Sequence, residues 1–233
     1  MKNSERVIYG LLLTIIAFLL AGFAGGKITL NLQLIPSSFV DHSVMLILSI
    51  VLICSLRKYV NYKIAWPKFK KIWKPILFGF LSAVIINSLI EVIGNACGIE
   101  SEHHYVFDVM SPLQFFLFVF IMASTAEEVL FRGFLQNILK PLRAKGIKLF
   151  KRHISLPVII GAIVFSLAHL SLIASGAGAY FIFRTLTFTF VLGLIAGYYQ
   201  EKYDNNAYAI IVHMSGNLMG LIGALIGTAN LGI

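Results

Sequence analysis

Seven stretches of about 20 mostly apolar residues, divided by short polar segments, organise the chain: 7–26, 38–56, 75–94, 112–139, 157–174, 180–200 and 207–228. Each matches the roughly 20 residues a helix needs to cross a hydrocarbon core of about 30 Å. Lipid offers the backbone no water, so every crossing is expected to be helical. Pro75, Pro112 and Pro157 stand at or near the start of three runs, where a missing N–H costs a helix nothing. The pattern predicts an all-α, polytopic transmembrane bundle of about seven spans. No internal repeat or low-complexity stretch interrupts it. Lys2 and Arg6 precede the first run and Gly22-Phe23-Ala24 loosely resembles a signal cleavage site, but the run is longer than a signal core and reads as an anchor.

Composition agrees. Hydrophobic residues make up 58% and charged residues 12%, against about a quarter charged in a soluble domain. A chain of this size could not hide so much apolar surface from water. The net charge of +9 points at first to nucleic acid, but its location excludes that reading. Thirteen of 19 basic residues fall in two segments, from Arg57 to Lys74 and from Lys140 to Arg152, both between apolar runs. This is the positive-inside pattern, with basic loops against anionic lipid of the inner leaflet. With a cytosolic N-terminus, 16 of the 19 lie inside, while Lys27, Asp41, Glu100, Glu102 and Asp108 lie outside. The expected location is the cell membrane, multi-pass, and abundant Ile, Lys, Asn and Phe point to a bacterium. Cys54 and Cys97 form no spaced pair and read as inert core residues.

Ionisable groups inside a span are costly and mark function by default. The fourth span carries Glu127, Glu128 and Arg132, the fifth His169, the sixth Arg184, and the seventh His213 and Asn217. Glu128 and Arg132 are four apart, share a helix face and can neutralise one another. Glu127 is turned about 100° away and reads as the carboxylate without a local partner. In a low-dielectric site such a group binds its proton more tightly, as a general base for neutral pH requires. Arg184, a few residues from the outer end of its span, is expected either to snorkel to that surface or to pair with Glu91 near it. Small residues four apart (Gly193 with Gly197, Gly216 with Gly220, Gly223 with Gly227) predict close packing of the last two spans.

This set suits addition of water to a carbonyl. A Glu helped by a His removes a proton from water, while a second His and an Asn amide donate to the oxyanion. Ser171 and Ser215 are near, but read as bonded to helix backbone.

Three short patterns occur in order: Glu127-Glu128-x-x-x-Arg132, Phe165-x-x-x-His169 and His213-x-x-x-Asn217. Together they resemble the motifs of the CPBP intramembrane proteases, the family of type II CAAX-processing and bacteriocin-processing (Abi) proteins. The resemblance covers about residues 112–220 and implies a helical core that cleaves peptides within or beside the membrane. It implies Glu127 and His169 activating water, His213 and Asn217 at the oxyanion, and Glu128, Arg132 and Phe165 in support. The seven spans are one short of the eight of eukaryotic-type CAAX enzymes. The chain divides into residues 1–111, three spans with a basic loop and no usable motif, and a catalytic core at 112–228.

A metal-free mechanism is the favoured reading; zinc on Glu127, His169 and His213, with water in the open position, is the alternative. The expected partner is a membrane-associated peptide or protein: a CAAX-like tail, a leader peptide, or a bacteriocin or pheromone precursor. A catalytically silent scaffold or immunity protein and a proton-coupled transporter are the rival functions, the latter without the inverted repeat such carriers show.

Overall fold

A computed structural model describes residues 1–30, 32–99, 110–149 and 151–231, with side chains as far as Ile226. Glu100, Glu102 and Asp108 lie outside the described residues. Among the described residues, seven helical segments are long and apolar enough to cross a membrane: α1 (Asn3–Lys27), α2 (Ser38–Ser55), α3 (Phe69–Ala96), α4 (Pro112–Gln136), α5 (Leu156–Ala168, the span continuing to Ser175), α6 (Ala179–Tyr203) and α7 (Ala207–Leu231). The chain is a helical, multi-pass membrane protein. A 3-10 turn, His169–Ser175, extends α5 until Gly176 stops it at φ 86°, a left-handed conformation that glycine adopts without steric cost.

Two helix starts follow from local sequence. Ser111 accepts from the Gln114 amide at 3.3 Å while the Gln114 side chain accepts from the Ser111 amide at 2.8 Å, a reciprocal cap with Pro112 in the first turn. Ser155 accepts from the Val158 amide at 3.4 Å ahead of Pro157. Pro75 departs from expectation: it lies inside α3, which begins at Phe69. Lys70, Lys71 and Lys74 occupy that first cationic turn, and hydropathy does not register a helix whose lysines reach toward water along their stems.

The polar connections sort onto two ends of the bundle. At one end, Arg6 donates to the carbonyls of Tyr59 and Ile138, Lys140 pairs with Asp204 at 2.9 Å, and Arg143 pairs with Glu201 at 3.0 Å. The segment before α3 is strapped to this end. Asn205 exchanges two hydrogen bonds with the backbone of Ala65, the Asn206 amide donates to Lys63, and the Lys68 amide donates to the Tyr208 hydroxyl. At the other end, Gln114 donates to the carbonyls of Gln33 and Leu34. There Arg184 meets Glu91 at 3.6 Å, the second of the two placements expected from sequence. Both basic clusters therefore share one face. The second folds into a hairpin, β1 (Gly146–Leu149) against β2 (Arg152–Ser155), with Gly146 opposite Ser155.

The later half of α4 is the buried centre. Leu130, Phe131, Phe134, Leu135, Ile138 and Leu139 are almost wholly buried, as befits a helix enclosed on all sides. The glycines of α6 pack as expected from their spacing: a Cβ on Gly193 would lie 3.0 Å from the Ala162 backbone and 2.9 Å from Arg132 Nη2. Cys54 and Cys97 are free and exposed on the outside of the bundle, not in its core.

Candidate active site

Glu127 and Glu128 stand on a short α-helical stretch, Ser124–Glu128, between two π-helical stretches of α4, Phe115–Ala123 and Val129–Gln136. Wide turns of this kind are rare and concentrate at functional sites. Glu128 and Arg132 are both fully buried, and Arg132 Nη1 donates to Glu128 Oε1 at 2.8 Å. The expected pair is present, but it is not isolated. His213 Nδ1, from α7, reaches the same oxygen at 2.9 Å. A carboxylate that also takes the guanidinium bond accepts here, so Nδ1 carries the proton and Nε2 faces the other carboxylate. That second contact, His213 Nε2 to Glu127 Oε2, is 3.8 Å. One imidazole thus bridges the two adjacent carboxylates.

Phe165 holds this arrangement by its faces and edges. It is fully buried, with ring centroids 5.0 Å from His169 and 5.4 Å from His213, both edge to face. The Arg132 guanidinium lies 4.4 Å from its centroid, a cation–π geometry. His169 donates through Nδ1 to the Phe165 carbonyl at 2.9 Å, which leaves Nε2 as its unengaged nitrogen among the described residues. Asn217 donates to Ser124 Oγ at 3.0 Å, so α7 is tied to α4 one turn before Glu127–Glu128. An Asn amide has two N–H donors, and the second is available for another acceptor. Ser215 bonds the Ile211 carbonyl at 2.8 Å, as a serine occupied by its own helix should.

Glu127 is not partnerless. His42 Nε2, on α2, lies 3.5 Å from Glu127 Oε1, and the two oxygens of Glu127 face two different imidazoles. His42 belongs to the first three spans, which carry no motif, but as an ionisable residue inside an apolar run it bears the same sequence signal as Glu127, His169 and His213.

Among the described residues no three His, Cys, Asp or Glu side chains converge as a metal-binding group. What the cluster offers chemically is a carboxylate among imidazoles whose Nδ1 atoms are engaged elsewhere, with an amide donor nearby.

No curated protein and no solved structure matches the chain. A family model does: residues 109–219, the segment holding all three motifs, match the type II CAAX prenyl endopeptidase Rce1-like family. That segment, which runs from the start of α4 into α7, is similar to the same type II CAAX endopeptidase family that the three motifs resemble.

Proposed function

We propose that the protein is an intramembrane endopeptidase that hydrolyses a peptide bond of a membrane-associated peptide or protein, without a metal. The observation that carries this reading is the placement of Glu127 Oε2 3.8 Å from the Nε2 of an imidazole whose other nitrogen is fixed by Glu128. Glu127, assisted by His169, takes a proton from water as the oxygen attacks the carbonyl carbon. With a proton on each ring nitrogen, His213 lies between the two carboxylates as an imidazolium and donates through Nε2, beside the Asn217 amide, to the oxyanion, and a site closed to bulk water strengthens those bonds. Glu127 then delivers the proton to the amine nitrogen as the C–N bond breaks, releasing a carboxylic acid and an amine. Glu128 and Arg132 hold His213, and Phe165 holds both histidines and the guanidinium.

The substrate class is a CAAX-like tail, leader peptide, or bacteriocin or pheromone precursor presented at the membrane of a bacterial cell. Anionic lipid meets the basic face, where Trp66 and Phe69 are 97% and 85% exposed beside Lys68 and Lys70. Aromatic residues among lysines favour a lipid headgroup region.

The test is mass spectrometry of membrane peptides from cells carrying the wild type or Glu127→Gln at equal abundance. At least one cleavage product should vanish in the variant. Identical peptide pools would remove hydrolysis. Activity that dies with a chelator and returns with zinc would replace the metal-free route.

A further inference from the structure

His42 lies outside residues 109–219 and outside the three motifs, yet it is the side chain nearest to Glu127 among the ion pairs of that carboxylate: 3.5 Å, against 3.8 Å for His213. Its ring is fixed at the far side. Nδ1 lies 2.6 Å from the Ser38 carbonyl, which can only accept, so Nδ1 carries a proton. Nε2 and a carboxylate oxygen, both bare, would repel one another. Their approach in a buried site is stable when one proton lies between them. The turn bearing His42 is also held from α1: a Cβ on Gly25 would lie 2.9 Å from Asp41 Cβ, so only glycine allows this closeness. The charged groups facing His42 are Asp41, 3.9 Å from Nδ1, and Glu127.

We propose that His42 is a positioning residue of the active site, which directs an Nε2–H at Glu127 Oε1 and holds that oxygen, leaving Oε2 to meet water beside His213. The role assigned to Oε2 rests on the hydrolytic reading above; the His42–Glu127 contact does not. The first three spans then contribute to the chemistry through α2, in addition to anchoring the chain. His169 and His213 also have Nδ1 engaged, at the Phe165 carbonyl and at Glu128. All three rings therefore leave Nε2 as the nitrogen for the site.

The experiment uses the full chain in lipid nanodiscs, at one fixed pH and without substrate. Infrared difference spectra assign the Glu127 carboxyl band by its loss in Glu127→Gln. His42→Leu should move that band. His42→Gln, whose amide N–H reaches the position of Nε2, should restore it toward the wild-type frequency. A ring that merely filled space would give no such rescue. In the reverse direction, Glu127→Gln should shift the ¹⁵N signal of the His42 ring, a measurement that needs no His42 variant to fold. A Glu127 band unmoved in His42→Leu, or a His42 signal unmoved in Glu127→Gln, overturns the proposal. Release of membrane peptides should fall roughly tenfold or more in His42→Leu, as expected for a misplaced reacting group, and largely persist in His42→Gln. If Glu127→Gln leaves peptide release unchanged while the spectra shift as stated, hydrolysis fails and the His42–Glu127 pairing stands.

Discussion

His213 is fixed to Glu128 by a 2.9 Å contact between Nδ1 and Oε1, on the oxygen that also receives Arg132 at 2.8 Å. Glu128 therefore has two dependants, one structural and one chemical, and they separate by mutation. Glu128→Gln should destabilise the fold by about 3–5 kcal/mol, because a buried guanidinium loses its counter-charge. Adding Arg132→Met should recover much of that loss. Peptide release should stay low in both variants, since neither restores the carboxylate that aims His213. Thermal unfolding in detergent, read beside peptide release, checks the split; recovery of both together would reduce Glu128 to an ion-pair partner.

Phe165 contacts two imidazoles and a guanidinium. Phe165→Ala should cost about 3–5 kcal/mol, the usual loss for a large buried ring. Phe165→Leu keeps more of the volume but no π-face for Arg132 and no edge for the histidines. It should cost less stability than Phe165→Ala while still depressing turnover. Equal turnover in Phe165→Leu and wild type would make the ring a filler.

The Asn217 amide donates to Ser124, which sets its orientation. Asn217→Ala should reduce turnover by about 10²–10³, the range for loss of one oxyanion donor, with the binding of substrate little changed. Ser124→Ala leaves the donor but frees its rotamer and should produce a smaller loss in the same parameter. Initial rates over a range of substrate concentrations separate turnover from binding, and a loss confined to binding in both variants would take Asn217 away from the oxyanion.

Gly193 offers no room for a methyl group, since the atoms it would meet include the Ala162 backbone at 3.0 Å. Gly193→Ala should destabilise by about 1–3 kcal/mol through overpacking. Gly22 has nothing within 4 Å of such a Cβ, so Gly22→Ala should fall within about 0.5 kcal/mol of wild type. Matched unfolding curves of the two variants check the contrast.

The fold was legible in the sequence because lipid reduces the problem to run length and charge: seven apolar runs correspond to seven helices, and both basic clusters share one end. Pro75 shows the limit, since a cationic helical turn looks like a loop to a hydropathy window. Within the candidate site, the Glu128–Arg132 pair could be read from four-residue spacing, which is a local property of one helix. The His213 bridge and the Asn217–Ser124 bond depend on how α7 is rotated against α4, which no spacing along a single helix encodes. His42 was hidden for the same reason, because its contact depends on how α2 is set against α4.

The two π-helical stretches of α4, Phe115–Ala123 and Val129–Gln136, make this helix sensitive to length. Deleting one residue from the first would change the winding above Glu127 and turn both carboxylates relative to the Ser111 cap by the rotation of one residue, about 100° in an α-helix and less in a wider one. A deletion in the second would rotate Arg132 or the segment beyond it away from Glu128. Substitutions along α4 test contacts one at a time, but a single-residue indel would shift the register of the whole constellation.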